Sequence, residues 1–157
     1  MSDSRPFLRH ALATLAYRGA KSMRGAPPEF ASFKADATSR TPAQIVAHIG
    51  DLLDWALSLA KGQQAWHNSD PLAWNDEVAR FHRALGALDD YLASSEPLHD
   101  TPEKLFQGPV ADALTHVGQL AMLRRVSGAA MKGENYHRAD VVVGRVGAEQ
   151  AAPGREF

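Results

Sequence analysis

Four stretches of this chain repeat apolar residues every three or four positions, which is the spacing of an α-helix with one buried face. They cover about residues 5–24, 41–61, 72–93 and 110–131. The second has the clearest start, because Thr41, Pro42 and Gln44 form the sequence pattern of a capping box. Glycines, prolines and polar runs separate the stretches and favour connections. We therefore predict an all-α fold, an antiparallel four-helix bundle with long connections.

The chain has 157 residues, enough for a single domain with its own core. We place the helical bundle at about residues 5–133 and an irregular C-terminal arm at 134–157, where Val141 to Val143 and several glycines end the helical pattern. The absence of cysteine excludes disulfides, thiolate zinc sites and catalytic thiols. A bound metal would therefore need histidine, aspartate or glutamate ligands.

The charge pattern limits the kinds of partner. The formal net charge is −1 with both signs interspersed, so the basic surface expected of a nucleic-acid-binding protein is missing. No apolar run approaches the roughly 18–20 residues that would span a bilayer, and the first residues do not resemble a signal peptide. We expect a cytoplasmic protein that acts on a small molecule and binds neither nucleic acid nor membrane.

Three polar residues occupy positions where the helical pattern favours Leu or Ile. His48 stands three residues after Ile45 in the second helix. Asp112 and His116 are four residues apart in the fourth helix, so they lie about 40° apart around its axis. An inward carboxylate is costly unless it is paired or binds a cation. Either the trio holds a divalent metal, or it forms a hydrogen-bonded core network in a bundle that is not an enzyme and that binds a small ligand or a partner.

A metal held by two imidazoles and one carboxylate would be a first-row ion, with Zn²⁺, Ni²⁺ and Fe²⁺ all compatible. Three protein ligands leave coordination positions open, which is typical of catalytic sites. Among the remaining polar residues, Arg124 is a candidate for binding an anionic group of a substrate, and Tyr136 and His137 for covering the site opening. We expect the other four histidines to be exposed: His10, His67, His82 and His99.

Two sequence motifs, AHIGDLLDW around His48 and DALTHVGQLAMLRR around His116, resemble those of the DinB-like family of four-helix metalloproteins. That family is related to the bacillithiol transferases and the mycothiol-dependent maleylpyruvate isomerases. The resemblance covers about residues 5–133 and implies a metal held by His48, Asp112 and His116. It also implies an enzyme of the thiol S-transferase or hydrolase type, and a low-molecular-weight thiol as cofactor.

One position departs from the family pattern. The second ligand there is often histidine, or glutamate in the isomerase branch, whereas Asp112 is one methylene shorter than glutamate. The shorter side chain leaves two alternatives: a metal site of altered geometry, or a site that has lost tight metal binding. Family members often pair through bundle faces, so a stress-related structural homodimer is a further alternative. Three tryptophans could mark such a face, or could belong to the core or the wall of a pocket: Trp55, Trp66 and Trp74.

Overall fold

The computed structural model describes residues 3–157, and within them the fold is helical and contains no β-strand. Four long helices form a bundle, as the apolar periodicity predicts. They are α1 (Arg5–Met23), α2 (Pro42–Ala60), α3 (Trp74–Ala93) and α5 (Ala111–Val126), with the single turn α4 (Pro102–Leu105) before the last. None of these helices combines the length and apolar character that crossing a membrane requires.

Helix α2 begins and ends at local sequence signals. The Thr41 hydroxyl accepts a hydrogen bond from the Gln44 backbone N–H at 3.2 Å, and the Gln44 side chain accepts one from the Thr41 N–H at 2.9 Å. This is the predicted capping box. At the other end Gly62 has a φ of +71°, and the N–H of Gln63 donates to the Ser58 carbonyl at 2.8 Å. Glycine is favoured here because a side chain would strain this left-handed conformation.

The helical structure that leads into α5 starts earlier than the sequence suggested. We expected Gly108 and Pro109 to lie in a connection, but the chain is already helical from Pro102 and passes through a π-helical turn, Phe106–Val110. Pro109 has no backbone N–H and cannot make the α-helical hydrogen bond. The wider π turn accommodates it, and the chain continues directly into α5.

Helix α5 also ends earlier than predicted, at Val126 and not near residue 131. Gly128 has a φ of +84°, and the N–H of Ala129 donates to the Arg124 carbonyl at 2.9 Å. These features are those of a Schellman motif, which satisfies the last carbonyls of a helix. The predicted stop at residues 132–133 was therefore wrong, because Gly128 supplies the left-handed residue first.

The four long helices pack as a ring. Each of α1 and α2 contacts both α3 and α5, so the order around the bundle is α1, α3, α2, α5. We call the groove between two neighbouring helices a seam, and the α2–α5 seam lies opposite the α1–α3 seam. Large apolar side chains from all four helices fill the centre: Leu12, Leu15, Ile49, Leu53, Phe81, Leu85 and Leu120.

The α1–α3 seam is tight and is covered by the C-terminal arm (residues 134–157). A Cβ on Gly19 of α1 would lie 2.6 Å from the Phe81 ring, so glycine permits this close approach. The buried Glu134 carboxylate accepts hydrogen bonds from Lys21 Nζ and Tyr17 Oη, both at 2.6 Å. Further along, the Val146 carbonyl lies 3.0 Å from an imidazole nitrogen of α3. The arm is therefore fixed to both helices of this seam.

That imidazole belongs to His82, which the sequence led us to place on the exposed face of α3. It is half-buried instead, because the arm packs over it. Burial lowers the pKa of His82 below its usual 6.5, although the contact with the Val146 carbonyl opposes this shift.

Candidate metal centre

Helices α2 and α5 bring His48, Asp112 and His116 together at their seam, with all three potential ligand atoms within 4.8 Å of one another. One Asp112 oxygen lies 3.8 Å from His48 Nε2, and the other lies 3.5 Å from His116 Nε2. The two imidazole rings are nearly perpendicular, with centroids 4.8 Å apart. Two helices thus supply three metal-ligating groups to one small volume.

These three groups converge without hydrogen-bonding to one another. The distances from Asp112 to the two imidazoles exceed the roughly 2.7–3.2 Å of a protein N–H···O hydrogen bond. Within residues 3–157, the side chains of His48 and Asp112 make no hydrogen bond to any residue outside the trio either. For comparison, two ligands each about 2.1 Å from a tetrahedral ion lie about 3.4 Å apart. The spacing therefore suits a shared cation better than a hydrogen-bonded core network.

Gln119 sets the tautomer of His116. Its side-chain oxygen lies 2.8 Å from His116 Nδ1 across one helical turn. With the amide oxygen as the acceptor in this contact, the matching tautomer of His116 carries its proton on Nδ1 and keeps the Nε2 lone pair on the side of Asp112. Metal-bound histidines commonly donate their second ring N–H to such an acceptor. The spacing H-x-x-Q was visible in the sequence, but we had not assigned Gln119 a role.

The surroundings of His48 favour its neutral form. Burial lowers the pKa of His48 below its usual 6.5, and the nearby positive charge of Arg40 and the His116 imidazole lower it further. The carboxylates of Asp112 and Asp51 oppose this shift without cancelling it. The neutral imidazole is the form that binds metals, so this shift extends the pH range in which His48 can serve as a ligand.

We expected the Asp112 side chain to point into the core, but it lies at the rim of the site. Its side chain is 47% exposed, against 18% for His48 and 10% for His116. The buried face of α5 begins one residue later, at Ala113, and Asp112 is rotated about 100° from that position. The trio is therefore open to solvent on the side of Asp112.

Two tryptophans form a wall on one side of His48. Trp66 packs edge-on against the His48 ring, with centroids 5.9 Å apart, and against Trp55 at 5.8 Å. Trp66 belongs to the connection between α2 and α3, so its position depends on how residues 61–73 are held.

A second cluster of acidic and histidine side chains holds that connection in place. Asp51, Asp54 and His67 lie close enough to suggest another metal site. However, Arg80 Nη2 lies 2.6 Å from Asp51 and 3.1 Å from Asp54, so the guanidinium already occupies the position that a metal ion would take between the two carboxylates. His67 is exposed, as we expected, and its Nε2 lies 3.0 Å from Asp51. This cluster is an ion network and not a second metal centre.

The backbone of the connection is tied to the same network. The N–H and hydroxyl of Ser69 donate to Asp51 at 2.8 Å and 2.7 Å, and the N–H of Leu72 donates to the buried Glu77 carboxylate at 2.8 Å. Burial raises the pKa of Asp51, but the hydrogen bonds from Arg80 and Ser69 outweigh it, so the net shift is downward. The charged Asp51 thus anchors the segment that carries Trp66.

Two clefts lie near the trio, although Asp112 and His116 line neither of them. One of about 200 Å³ is lined by His48 together with Gln44, Asp51 and Arg40. The other, of about 580 Å³, is lined by Gln119 of α5 and by the segment that precedes α2, again including Arg40. Arg40 therefore stands where the two clefts meet.

Arg124 is not positioned to bind a substrate. Its side chain is 6% exposed and donates hydrogen bonds to the carbonyls of Ala129 at 2.7 Å, Arg24 at 3.0 Å and Ser22 at 3.1 Å. The guanidinium joins the end of α1 to the end of α5. The candidate role that we gave Arg124 is therefore replaced by a structural one.

Tyr136 and His137 also lie away from the trio. They line a cleft of about 380 Å³ against α1, together with Tyr17 and Arg18. The Tyr136 ring packs edge-on against Tyr17 at 6.1 Å, with the Arg18 guanidinium 4.1 Å above it. The arm that carries both residues covers the α1–α3 seam, opposite the trio, so they do not cover its opening.

No family model, curated protein or solved structure matches this chain at a significant level. The comparisons therefore neither support nor oppose the resemblance of the two short motifs. Any assignment of function depends on the chemistry of the site itself.

Proposed function

We propose that this protein is a divalent-metal-dependent enzyme of the DinB-like type that acts on a small molecule, with the ion held by His48, Asp112 and His116. The observation that carries this proposal is the convergence of three donor groups from two helices without hydrogen bonds among them. A structural core network would be held together by such hydrogen bonds, and the distances from Asp112 to the two imidazoles are too long for them.

The donor set indicates which ion fits. Two neutral imidazoles and one carboxylate suit Zn²⁺ or Ni²⁺ best and are also compatible with Fe²⁺. When bound, such an ion supplies Lewis-acid activation of a water or a thiol. Three protein ligands, with the half-exposed Asp112 at the rim, leave room for a small molecule to approach from solvent.

The chain's own residues orient and shield the site. Gln119 keeps the His116 lone pair directed toward Asp112. Trp66 packs against one side of His48, and the ion network at Asp51 anchors the connection that carries Trp66. Rigid positioning of this kind is what an active site needs, because misplaced ligands lose affinity and rate.

The reaction class follows from the nucleophiles that are available. The chain contains no cysteine, so a thiol nucleophile must come from a second small molecule, as in the thiol transferases that the motifs resemble. Thiol S-transfer uses such a cofactor, whereas hydrolysis uses water at the same site. Assays with and without added low-molecular-weight thiol distinguish the two.

Metal content tests the proposal directly. Tag-free protein should contain close to one Zn²⁺ or Ni²⁺ per chain by inductively coupled plasma mass spectrometry. At a free metal concentration of about 100 Kd, binding adds about 2.7 kcal/mol, so EDTA should lower the melting temperature by about 5–10 °C. Asp112→Asn should show little of this response. Less than about a tenth of an ion per chain, with no gain on adding Zn²⁺ or Ni²⁺, would rule the proposal out.

A further inference from the structure

We propose that the 580 Å³ cleft beside the trio is the substrate pocket, and that Arg40 selects a substrate with one carboxylate and an apolar tail. This inference rests on the proposed function and names the substrate class of the same site. It is carried by the composition of the cleft, by the free guanidinium of Arg40 and by the link from the cleft to His116.

The cleft has a polar end and an apolar end. Thr38, Ser39 and Arg40 line it from the segment that precedes α2. At the other end it is lined by apolar side chains of α2 and α5: Ile45, Met122 and Leu123. Its volume lies within the roughly 300–1,000 Å³ typical of small-molecule sites. A ligand that fills both ends needs a polar head and an apolar body.

Gln119 connects this cleft to the candidate metal centre. Its side chain lines the cleft and also accepts the hydrogen bond from His116 Nδ1 at 2.8 Å. Arg40 lines the same cleft and, in addition, the smaller cleft that contains His48. A molecule held by Arg40 therefore lies beside residues that contact or form the trio.

Arg40 is available for a ligand. It is exposed, and within residues 3–157 its guanidinium makes no hydrogen bond or ion pair. Arg80 and Arg9, by contrast, are engaged with Asp51 and with Asp89. A free guanidinium can bind a carboxylate through two parallel hydrogen bonds, which gives both affinity and orientation.

The charges around the two clefts decide where an anion binds. The smaller cleft is lined by the carboxylates of Asp51 and Asp70, which repel an anion. The larger cleft has no acidic residue in its lining, and Arg40 is its single charged residue. The nearby Asp36 carboxylate already accepts three hydrogen bonds, from the backbone and hydroxyl of Thr38 and the backbone of Ser39. The anionic head therefore belongs in the larger cleft.

The apolar end accepts tails of different shape. Met122 is 60% exposed on α5, although an apolar side chain gains free energy when it is covered. Methionine is unbranched and flexible, so it adapts to ligands that a rigid wall would exclude. This end therefore suits an alkyl or aryl group and imposes little selection on its shape.

Binding of a charged and a neutral probe tests the inference. The full-length, metal-loaded protein is titrated calorimetrically with 4-phenylbutyrate and with its neutral analogue, 4-phenylbutanamide. Wild type should bind the carboxylate at least about tenfold more tightly, which corresponds to about 1.4 kcal/mol. Arg40→Gln should abolish this preference and leave metal content and melting temperature unchanged. Arg83→Gln, which removes an exposed charge on α3 outside both clefts, should retain the preference.

The possible results separate this inference from the proposed function. Equal affinity of wild type for the two probes, or a preference that survives in Arg40→Gln, would overturn the inference even if the protein binds metal. A protein without metal that still prefers the carboxylate through Arg40 would overturn the proposed enzyme and support the selective cleft. A loss of the preference in Arg83→Gln equal to that in Arg40→Gln would show a general charge effect and would also refute the role of Arg40.

Discussion

The hydrogen bond from His116 to Gln119 offers a sharp test of the metal centre, because the two interpretations of the trio predict different sizes of effect. Gln119→Leu removes the acceptor that lies 2.8 Å from Nδ1 and leaves the imidazole free to adopt the tautomer with its proton on Nε2. That tautomer cannot bind a metal through the nitrogen that faces Asp112. Loss of such an orienting partner typically weakens metal binding 10–100-fold, or about 1.4–2.7 kcal/mol.

The same substitution should have little effect on the metal-free protein. Gln119 is exposed, and one neutral hydrogen bond contributes only about 0.5–1.5 kcal/mol to stability. Competition with a chromophoric chelator measures the metal affinity, and urea unfolding in EDTA measures the stability of the metal-free protein. Gln119→Glu keeps an acceptor at the same place and should bind metal at least as tightly as wild type. Gln107→Leu, at an exposed glutamine of the π-helical turn, is the matched control.

Metal affinity of Gln119→Leu within threefold of wild type would refute this reasoning. So would a Gln119→Glu protein that binds as weakly as the leucine variant, because a carboxylate oxygen should orient His116 as well as an amide oxygen does. A loss of stability in EDTA as large as the loss of metal affinity would instead identify the trio as a structural network.

Three further predictions concern the surroundings of the site. Ni²⁺ or Cu²⁺ bound at the trio should quench tryptophan fluorescence, and Trp66→Phe should remove most of this quenching in a metal titration, whereas Trp74→Phe should not. Arg80→Leu leaves the buried Asp51 carboxylate without its main partner and should cost about 3–5 kcal/mol in urea unfolding; a loss below about 1 kcal/mol would contradict this. Because burial lowers the pKa of His82, the unfolded chain binds a proton there more readily than the folded one, and stability falls as the pH drops below 6.5. His82→Gln should therefore lose less melting temperature than wild type between pH 7.5 and 5.5, and an unchanged slope would exclude this contribution.

Local sequence signals predicted the bundle and the ends of its second helix. The capping box at Thr41 and the glycine at residue 62 act within one helical turn, so they can be read without knowledge of the fold. The proximity of Asp112 and His116 is equally local, since four residues along a helix place two side chains on one side. His48 was singled out because it stands among apolar residues of its own helix.

Features that depend on distant parts of the chain were missed. The position of the arm is set by Lys21 and Glu134, which are 113 residues apart and form no pattern in the sequence. That pairing places Tyr136 and His137 on the wrong side of the bundle for the role we expected. The π-helical turn was missed because Gly108 and Pro109 ordinarily indicate a break, whereas here the wider turn accommodates the proline and the chain stays helical.

The covered α1–α3 seam has a mechanical consequence for the opposite side of the bundle. With the arm fixed to both helices and Phe81 packed against Gly19, the α1–α3 seam is held together, whereas the arm leaves the opposite α2–α5 seam uncovered. A movement of α2 away from α5 would separate His48 from Asp112 and His116, which would stay together on α5. A metal ion held by all three residues would link α2 to α5, so metal binding should slow amide exchange in these two helices more than in α1 and α3.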